Sequence, residues 1–526
     1  MNGWLWPMRA AVLVISAAAA HACASARGGK AGPPTDQAPL TASVAAVPSA
    51  PGSVAEDTAL SSDLDSLLSS PLIAGALVAA RVDSLIPRRT LYARNAQSLV
   101  MPASNMKIVT MAVAAERLGW DARFETRLEA TGTIDDGVLN GDLIAVGTGD
   151  PAITAPATGT PSLFSEWSAA LRRAGIHRVH GRLVGDDDAF EEEGLGAGWA
   201  WDYLAAGYAA PSGALSYNEN VAVLRIAPGP SIGAPARLEV GPPGHGLQVV
   251  NRLSTGAADV MPAIALARLP GNDRLTVTGA VPLGGSPLIR TAAVANPTQF
   301  FVEALRTSLL EQGVVIDGGA YDIDEVAPSS LAKDRRVIAR RQSDPLSALV
   351  GYAMKVSQNF YAEMILKALG RAASGVGSVD AGRLAVRETI TAWGLPVGGL
   401  VMYDGSGLSR YDYVTADLIV GVLERVWADE RLRGPFAAAL PVGGRDGTLQ
   451  TRMSGPILNR RIQAKTGTIS NVRALSGYAE DDRGGKLAFS FIVNNAVASG
   501  AQVDALVDRA LERILTSPAR ASGTAR

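Results

Sequence analysis

The sequence predicts an α/β fold interrupted by a long, mainly β insertion. Three observations carry this reading. Apolar residues at helical spacing gather near both ends of the chain, and Gly and Pro cut the middle into short strand-like runs. Strand patterns then return only beside the last helices. The first region, 57–128, opens with a helix pattern at Leu60, Leu64, Leu67 and Leu68. Strand-like runs follow at 76–82 and around Leu91, then a strongly apolar helix pattern (Met106, Val109, Val113, Leu118) closed by Gly119. The second, 129–326, reads as strands at 142–146, 178–184, 221–226 and 274–277, with long helices scarce. The third, 327–516, has helix patterns at 346–354, 362–368, 418–427 and 503–514, and strands at 474–478 and 487–494.

The ends read differently. Arg9 is the only charge before an apolar stretch at 10–20, and small residues follow, so 1–26 is expected to be a signal peptide. Eleven apolar residues are too few for a bilayer core that needs about twenty. Residues 27–56, rich in Gly, Pro, Ala, Ser and Thr, read as a flexible linker, and 517–526 as a disordered tail. Cys23, the only cysteine, lies inside the leader, so the mature domain is expected to hold no disulfide and no thiolate metal site. A lipid anchor at Cys23 is the alternative to ordinary cleavage, although Ala20-His21-Ala22 lacks the larger aliphatic residue that usually precedes a lipidated cysteine.

Composition narrows the function classes. With 47% hydrophobic and 19% charged residues, the chain can bury sizeable cores. A net charge of −2 offers nucleic acid no electrostatic footprint. No phosphate loop and no Gly-x-Gly-x-x-Gly after a strand is present, so no nucleotide cofactor is expected. His177 and His180 lie in a strand-like run and His245 in a turn, which reads as structural. No metal centre is expected from them.

With histidine excluded as a base, a serine nucleophile needs another, and a lysine kept neutral by burial and nearby positive charge can serve. Ser104-Asn105-Met106-Lys107 supplies the pair at the start of the apolar helix. There the helix dipole favours a developing alkoxide, and the three-residue spacing puts both side chains on one face. Ser330-Leu331-Ala332-Lys333 has the same spacing but no apolar helix after it, and reads as chance. Ser357-Gln358-Asn359 lies between two apolar helical runs. Its hydroxyl could relay a proton and its carboxamide hold a peptide group. A second such triplet, Ser216-Tyr217-Asn218, competes with it in a Gly-rich strand region. Lys465-Thr466-Gly467 occurs once, followed by Thr468 and a strand. Its lysine and hydroxyls suit a carboxylate, and Gly467 would let a ligand approach the backbone. The order Ser-x-x-Lys, Ser-x-Asn, Lys-Thr-Gly decides among the copies, and it is the motif set of β-lactamases and penicillin-binding proteins.

Several further runs sharpen this. They are Gly147-Thr148-Gly149-Asp150-Pro151, Asn218-Glu219-Asn220, Asp404-Gly405-Ser406-Gly407-Leu408-Ser409-Arg410 and Gly444-Arg445-Asp446-Gly447-Thr448-Leu449. With the long gap between Ser104 and Ser357, the chain from about 60 to 515 resembles the class C low-molecular-mass penicillin-binding proteins. These are serine D-alanyl-D-alanine carboxypeptidases and endopeptidases. The resemblance implies an antiparallel sheet flanked by helices, with two smaller domains inserted. It implies peptidoglycan stem peptides as substrates, β-lactams as covalent inhibitors, no cofactor and an exported, periplasmic or envelope enzyme. By matching motif, Ser104 would be acylated, Lys107 would take its proton and Ser357 would serve the departing D-alanine. Asn359 would orient the peptide, and Lys465, Thr466, Gly467 and Thr468 would face the terminal carboxylate. The N–H groups of Ser104 and Thr468 would form the oxyanion hole. Arg410 and Ser470 would line a pocket for the stem-peptide side chain, completed by one of Asp186, Asp187, Asp188 and Asp202. Relatives carry Met where Ile469 stands. A class A β-lactamase would need a Glu-x-x-Leu-Asn loop, of which Asp136-Gly137-Val138-Leu139-Asn140 is only an imitation. A non-catalytic wall-binding protein would not need three intact motifs.

Overall fold

The computed structural model describes residues 58–155, 162–328 and 334–517. The leader, the linker, Cys23, the second Ser-x-x-Lys copy at 330–333 and the expected tail beyond Ser517 lie outside these residues. None of the described helices is long and apolar enough to cross a membrane.

A five-stranded antiparallel sheet organises the catalytic part. Its strands run, in order across the sheet, Arg88–Arg94, Leu77–Leu85, Lys486–Asn494, Val472–Glu480 and Ile462–Ile469. The first strands of the region thus sit beside its last ones. Side chains alternate across the pleat, and both faces are apolar. Val78, Ala80, Val82, Phe489 and Phe491 turn to one side, where the helices Thr58–Leu68 and Gly500–Leu515 cover them with Leu60, Leu64, Leu506 and Ile514. Ala79, Ala474, Tyr478, Ala488 and Ile492 face the other layer. There the helices Met106–Leu118, Leu346–Lys355, Asn359–Ser374 and Ala416–Ala428 form the larger core.

The insertion holds two cores. In the outer one, a five-stranded sheet runs Ala320–Asp322, Leu183–Asp186, Leu143–Val146, Glu125–Ala130 and Arg336–Gln342. The helices Leu163–Arg173 and Pro297–Glu311 pack on it through Phe164, Trp167, Phe300 and Phe301. The expected boundaries at 128 and 326 therefore fall inside this unit. Glu125–Ala130 and Arg336–Gln342, which enter and leave the insertion, pair with each other as its edge ladder. Pairing requires the two connections to return side by side, a constraint that composition does not register. The inner unit is all β, two three-stranded sheets closing over Leu224, Ile226, Leu253, Leu275 and Val277.

A buried lysine fastens the insertion to the catalytic helices. Lys367, 1% exposed, donates to the carbonyls of Glu191 (3.0 Å), Glu193 (2.7 Å) and Ser212 (3.1 Å). Burial lowers its pKa, because the charged form has left water. Substituting Lys367→Met would keep the volume and leave three carbonyls without their donor. We expect a loss of about 3 kcal/mol in unfolding free energy, measured by urea denaturation. An unchanged midpoint would show that water replaces the ammonium.

Candidate active site

Ser104 sits in a single 3-10 turn, Ala103–Asn105, that leads into the helix Met106–Leu118. Ala103 has φ +46°, so the turn is held against its local preference, and two glycines allow its neighbours to close on it. A Cβ on Gly407 (φ +80°) would lie 1.8 Å from the Ala103 carbonyl oxygen, and one on Gly467 would lie 2.7 Å from Asn105 Nδ2. Gly467 serves the protein's own packing as well. Its missing side chain makes room for the nucleophile's own turn, and the strand Ile462–Ile469 lies hard against Ser104 for that reason.

Lys107 is fully buried and donates to Ser104 Oγ (3.0 Å), Asn359 Oδ1 (2.7 Å) and the Ser406 carbonyl (2.9 Å). Burial brings its pKa down to about 8, while the carboxylates of Asp404 and Glu363 oppose the fall. Glu363 accepts from the N–H groups of Gly405 and Ser406, and burial raises its pKa. Asp404 accepts from Gly407 N–H, Ser409 N–H and Trp199 Nε1, and so shapes the loop whose carbonyl grips Lys107.

Ser357 adopts φ +63° between two helices, which turns it out of the helical path and toward Lys465. Lys465 Nζ donates to Ser357 Oγ at 2.8 Å and to the Thr466 carbonyl at 2.8 Å. Its pKa falls well below the ordinary lysine value through burial and repulsion from Lys107. Asn359 gives Oδ1 to Lys107 and donates Nδ2 to the Tyr208 carbonyl of the insertion at 2.8 Å.

The middle residue of this triplet is also tied down. Gln358 Nε2 donates to Glu219 Oε2, and Tyr352 donates to Glu219 Oε1 at 2.8 Å. Glu219 is the centre of three consecutive left-handed residues, Asn218, Glu219 and Asn220 (φ 53°, 55°, 55°). Such a run is costly without support. Asn220 supplies it, accepting from Tyr217 N–H and donating to the Pro211 carbonyl. Ser216 of the competing triplet therefore belongs to this turn. It donates to the Gly213 carbonyl and accepts from Asn220, away from Ser104.

Two cavities meet at Ser104, Ser357 and Thr468. One, about 590 Å³, is lined also by Asn359, Tyr203, Tyr208, Ile469, Ser470 and Arg473. The other, about 270 Å³, is lined by Thr448, Arg452, Thr466, Gly467 and Asp504. Thr466 Oγ1 and Thr448 Oγ1 share a hydrogen bond of 2.8 Å, which explains why the 444–449 run matters. Arg410 donates to Tyr203 OH (2.9 Å) and to the Ser470 carbonyl (3.1 Å), at the side of the larger cavity. Of the four acidic candidates, Asp202 stands beside this wall, in the 3-10 turn Trp201–Tyr203 whose Tyr203 lines the cavity. Asp186 is paired with Arg335, and Asp187 accepts from Thr298, both at the outer insertion sheet. Residues 136–140 are the turn and second strand of a hairpin in the insertion, His180 contacts Asn140, and His245 caps Leu247 N–H. The sequence passed over Tyr203 and Tyr208, although the aromatic run Trp199-Ala200-Trp201-Asp202-Tyr203 could have marked them.

Sheet, nucleophile and lysines together define the class, a serine hydrolase of the penicillin-binding-protein fold. The chain belongs to the D-Ala-D-Ala carboxypeptidase 3 (S13) family, whose model matches residues 60–516. It is 32% identical over 513 residues to the D-alanyl-D-alanine carboxypeptidase of Actinomadura sp. (strain R39), with 92% of each chain covered. It is 28% identical over 404 residues to the D-alanyl-D-alanine carboxypeptidase DacB of Haemophilus influenzae, covering 76% of this chain and 81% of the relative. Among solved structures, penicillin-binding protein 4 from Haemophilus influenzae aligns with a TM-score of 0.73 at 26% identity. That alignment covers 86% of this chain and 98% of the other. The same protein complexed with a β-lactam aligns with a TM-score of 0.68 at 25% identity, covering 86% and 98%.

Two outcomes are expected from this geometry. If neutral Lys107 is the base, its reactive form accumulates as pH rises toward about 8. The acylation rate constant for a penicillin should then climb between pH 6 and 8 and level off above, and a flat profile would remove Lys107 from the role. Glu219→Ala should slow acylation roughly 10–100-fold, because it leaves Gln358 and Tyr352 unpaired. The preceding binding constant should stay unchanged, whereas a purely structural defect would move binding and melting temperature without that split.

Proposed function

We propose that the chain performs its family's D-alanyl-D-alanine carboxypeptidase reaction through an acyl-enzyme at Ser104. The observation that carries this is the 3.0 Å contact between the buried Lys107 amine and Ser104 Oγ. Neutral Lys107 takes the hydroxyl proton as Ser104 attacks the penultimate D-alanine carbonyl. The N–H groups of Ser104 and Thr468 receive the oxyanion. Ser357, hydrogen-bonded to Lys465, passes a proton to the leaving amine. Thr466, Thr468 and Lys465 face the departing residue's carboxylate, and Gly467 keeps their strand close to Ser104. Asn359, fixed at both ends of its carboxamide, orients the peptide. Water then hydrolyses the ester. A β-lactam takes the same first step, but its leaving amine stays tethered by the opened ring and blocks the water.

Endopeptidase action is part of the proposal. The cavity on the carboxylate side, about 270 Å³, is roomier than a single departing alanine requires, and it continues along Arg452 and Asp504. On the acyl side, Arg410, Ser470 and Tyr203 with Asp202 suit a stem-peptide side chain ending in both carboxylate and amine. A guanidinium pairs with the first and a carboxylate with the second. The leader at 1–26 would export the enzyme to the periplasm or cell envelope, with a lipid at Cys23 as the alternative to release.

Labelled penicillin should form a stable adduct with the wild type and none with Ser104→Ala. Lys107→Ala should acylate about 10²–10⁴-fold more slowly. Mass spectrometry of muropeptide digests separates loss of alanine from cleavage of cross-links, and an enzyme that releases neither would end the assignment. Arg410→Ala should lower kcat/KM on the charged substrate by about 2 kcal/mol, roughly 30-fold, since Arg410 is half-buried. It should spare a substrate without that side chain, and equal losses on both would leave Arg410 a brace.

A further inference from the structure

The Asp186-Asp187-Asp188 run serves no part of the site described above, and its surroundings give it another use. Asp187 follows the strand Leu183–Asp186, while Asp322 and Asp324 lie at the end of the neighbouring parallel strand Ala320–Asp322 and in the turn after it. One carboxylate oxygen from each of Asp187, Asp322 and Asp324 lies within 4.8 Å of the other two. Asp187, Glu192, Asp322 and Asn296 line a cavity of about 290 Å³.

The decisive atom is Asp187 Oδ1. Asp187 is 7% exposed, and Thr298 donates to its Oδ2. Its Oδ1 is out of contact with water and has no hydrogen-bond partner among the described residues. A buried carboxylate oxygen left bare is costly unless a ligand meets it. Nearby cations are already engaged. Arg335 pairs with Asp186, and the Lys367 ammonium donates its three protons to backbone carbonyls.

We infer that Asp187, Asp322 and Asp324, with Glu192 on the wall of the same cavity, form a binding site for a calcium ion. The donors are all oxygen, which selects a hard cation over zinc. Bonds of about 2.3–2.6 Å put two calcium ligands at most about 5 Å apart, the span that these oxygens already occupy, while magnesium demands a tighter octahedron. The ion would fasten the start of the 187–195 segment. That segment continues through the Lys367 clamp to Trp199, Tyr203 and the wall of the larger cavity.

The test uses the full chain, stripped with EDTA and desalted, and titrated calorimetrically with CaCl₂ and, separately, MgCl₂. One Ca²⁺ per chain should bind, and millimolar Ca²⁺ should raise the melting temperature by about 3 °C or more. Asp187→Asn and Asp324→Asn should each weaken binding at least tenfold. Asp324 is exposed, so its variant keeps the question answerable if Asp187→Asn does not fold. Absence of stoichiometric binding, or unchanged affinity in both variants, would overturn the site. Equal affinity for Mg²⁺ would overturn the assignment to calcium.

Discussion

The position of one amine decides how this molecule is built. In the proposed mechanism Lys107 must be dry enough to lose its proton near neutral pH, yet it must be held by acceptors so that it points at Ser104. The three groups that hold it are Ser104 in the turn before its helix, Asn359 and the Ser406 carbonyl. Each requires a different stretch of chain to be in place. The helical layer supplies Asn359, the loop organised by Asp404 supplies the carbonyl, and the strand of Gly467 seals the nucleophile's turn from the other side. Burial alone would drive the lysine further down, and Asp404 and Glu363 set the limit.

The insertion is part of that arrangement. Glu219, the Tyr208 carbonyl and Trp199 reach respectively Gln358, Asn359 and Asp404, so the middle motif and the loop under Lys107 are both braced from outside the catalytic core. This accounts for the strained Asn218-Glu219-Asn220 turn. Three left-handed residues aim one carboxylate at two donors, and the contacts of Asn220 hold the backbone there.

The sequence made the chemistry easier to read than the scaffold. Ser104 and Lys107 could be paired from the sequence because they stand three residues apart, whereas Ser357 and Lys465 meet across 108 residues and were singled out only by motif order. The sheet was legible because alternation and helical spacing are local signals. What stayed hidden depends on distant segments. Nothing near Lys367 announces that it faces three carbonyls of another unit, and nothing near Glu219 points to Gln358. The helices Leu163–Arg173 and Pro297–Glu311 are a different case, since the Ser162 cap and the Asn296-Pro297 start were readable and were outweighed by surrounding strand patterns. Gly467 has a second role that its own neighbourhood in the sequence does not announce, since the turn of Ser104 that packs against it comes from more than three hundred residues earlier.

The pairing of Leu77–Leu85 with Lys486–Asn494 has a consequence in time. The nucleophile's segment emerges early in synthesis, yet its sheet cannot close until nearly the whole chain has been made. Contacts of such large sequence separation are slow to form and leave intermediates with open strand edges. A chain that stops before Ile462–Ile469 has Ser104 and Lys107 but lacks the strand that packs on their turn, so the site is assembled only when synthesis is nearly complete.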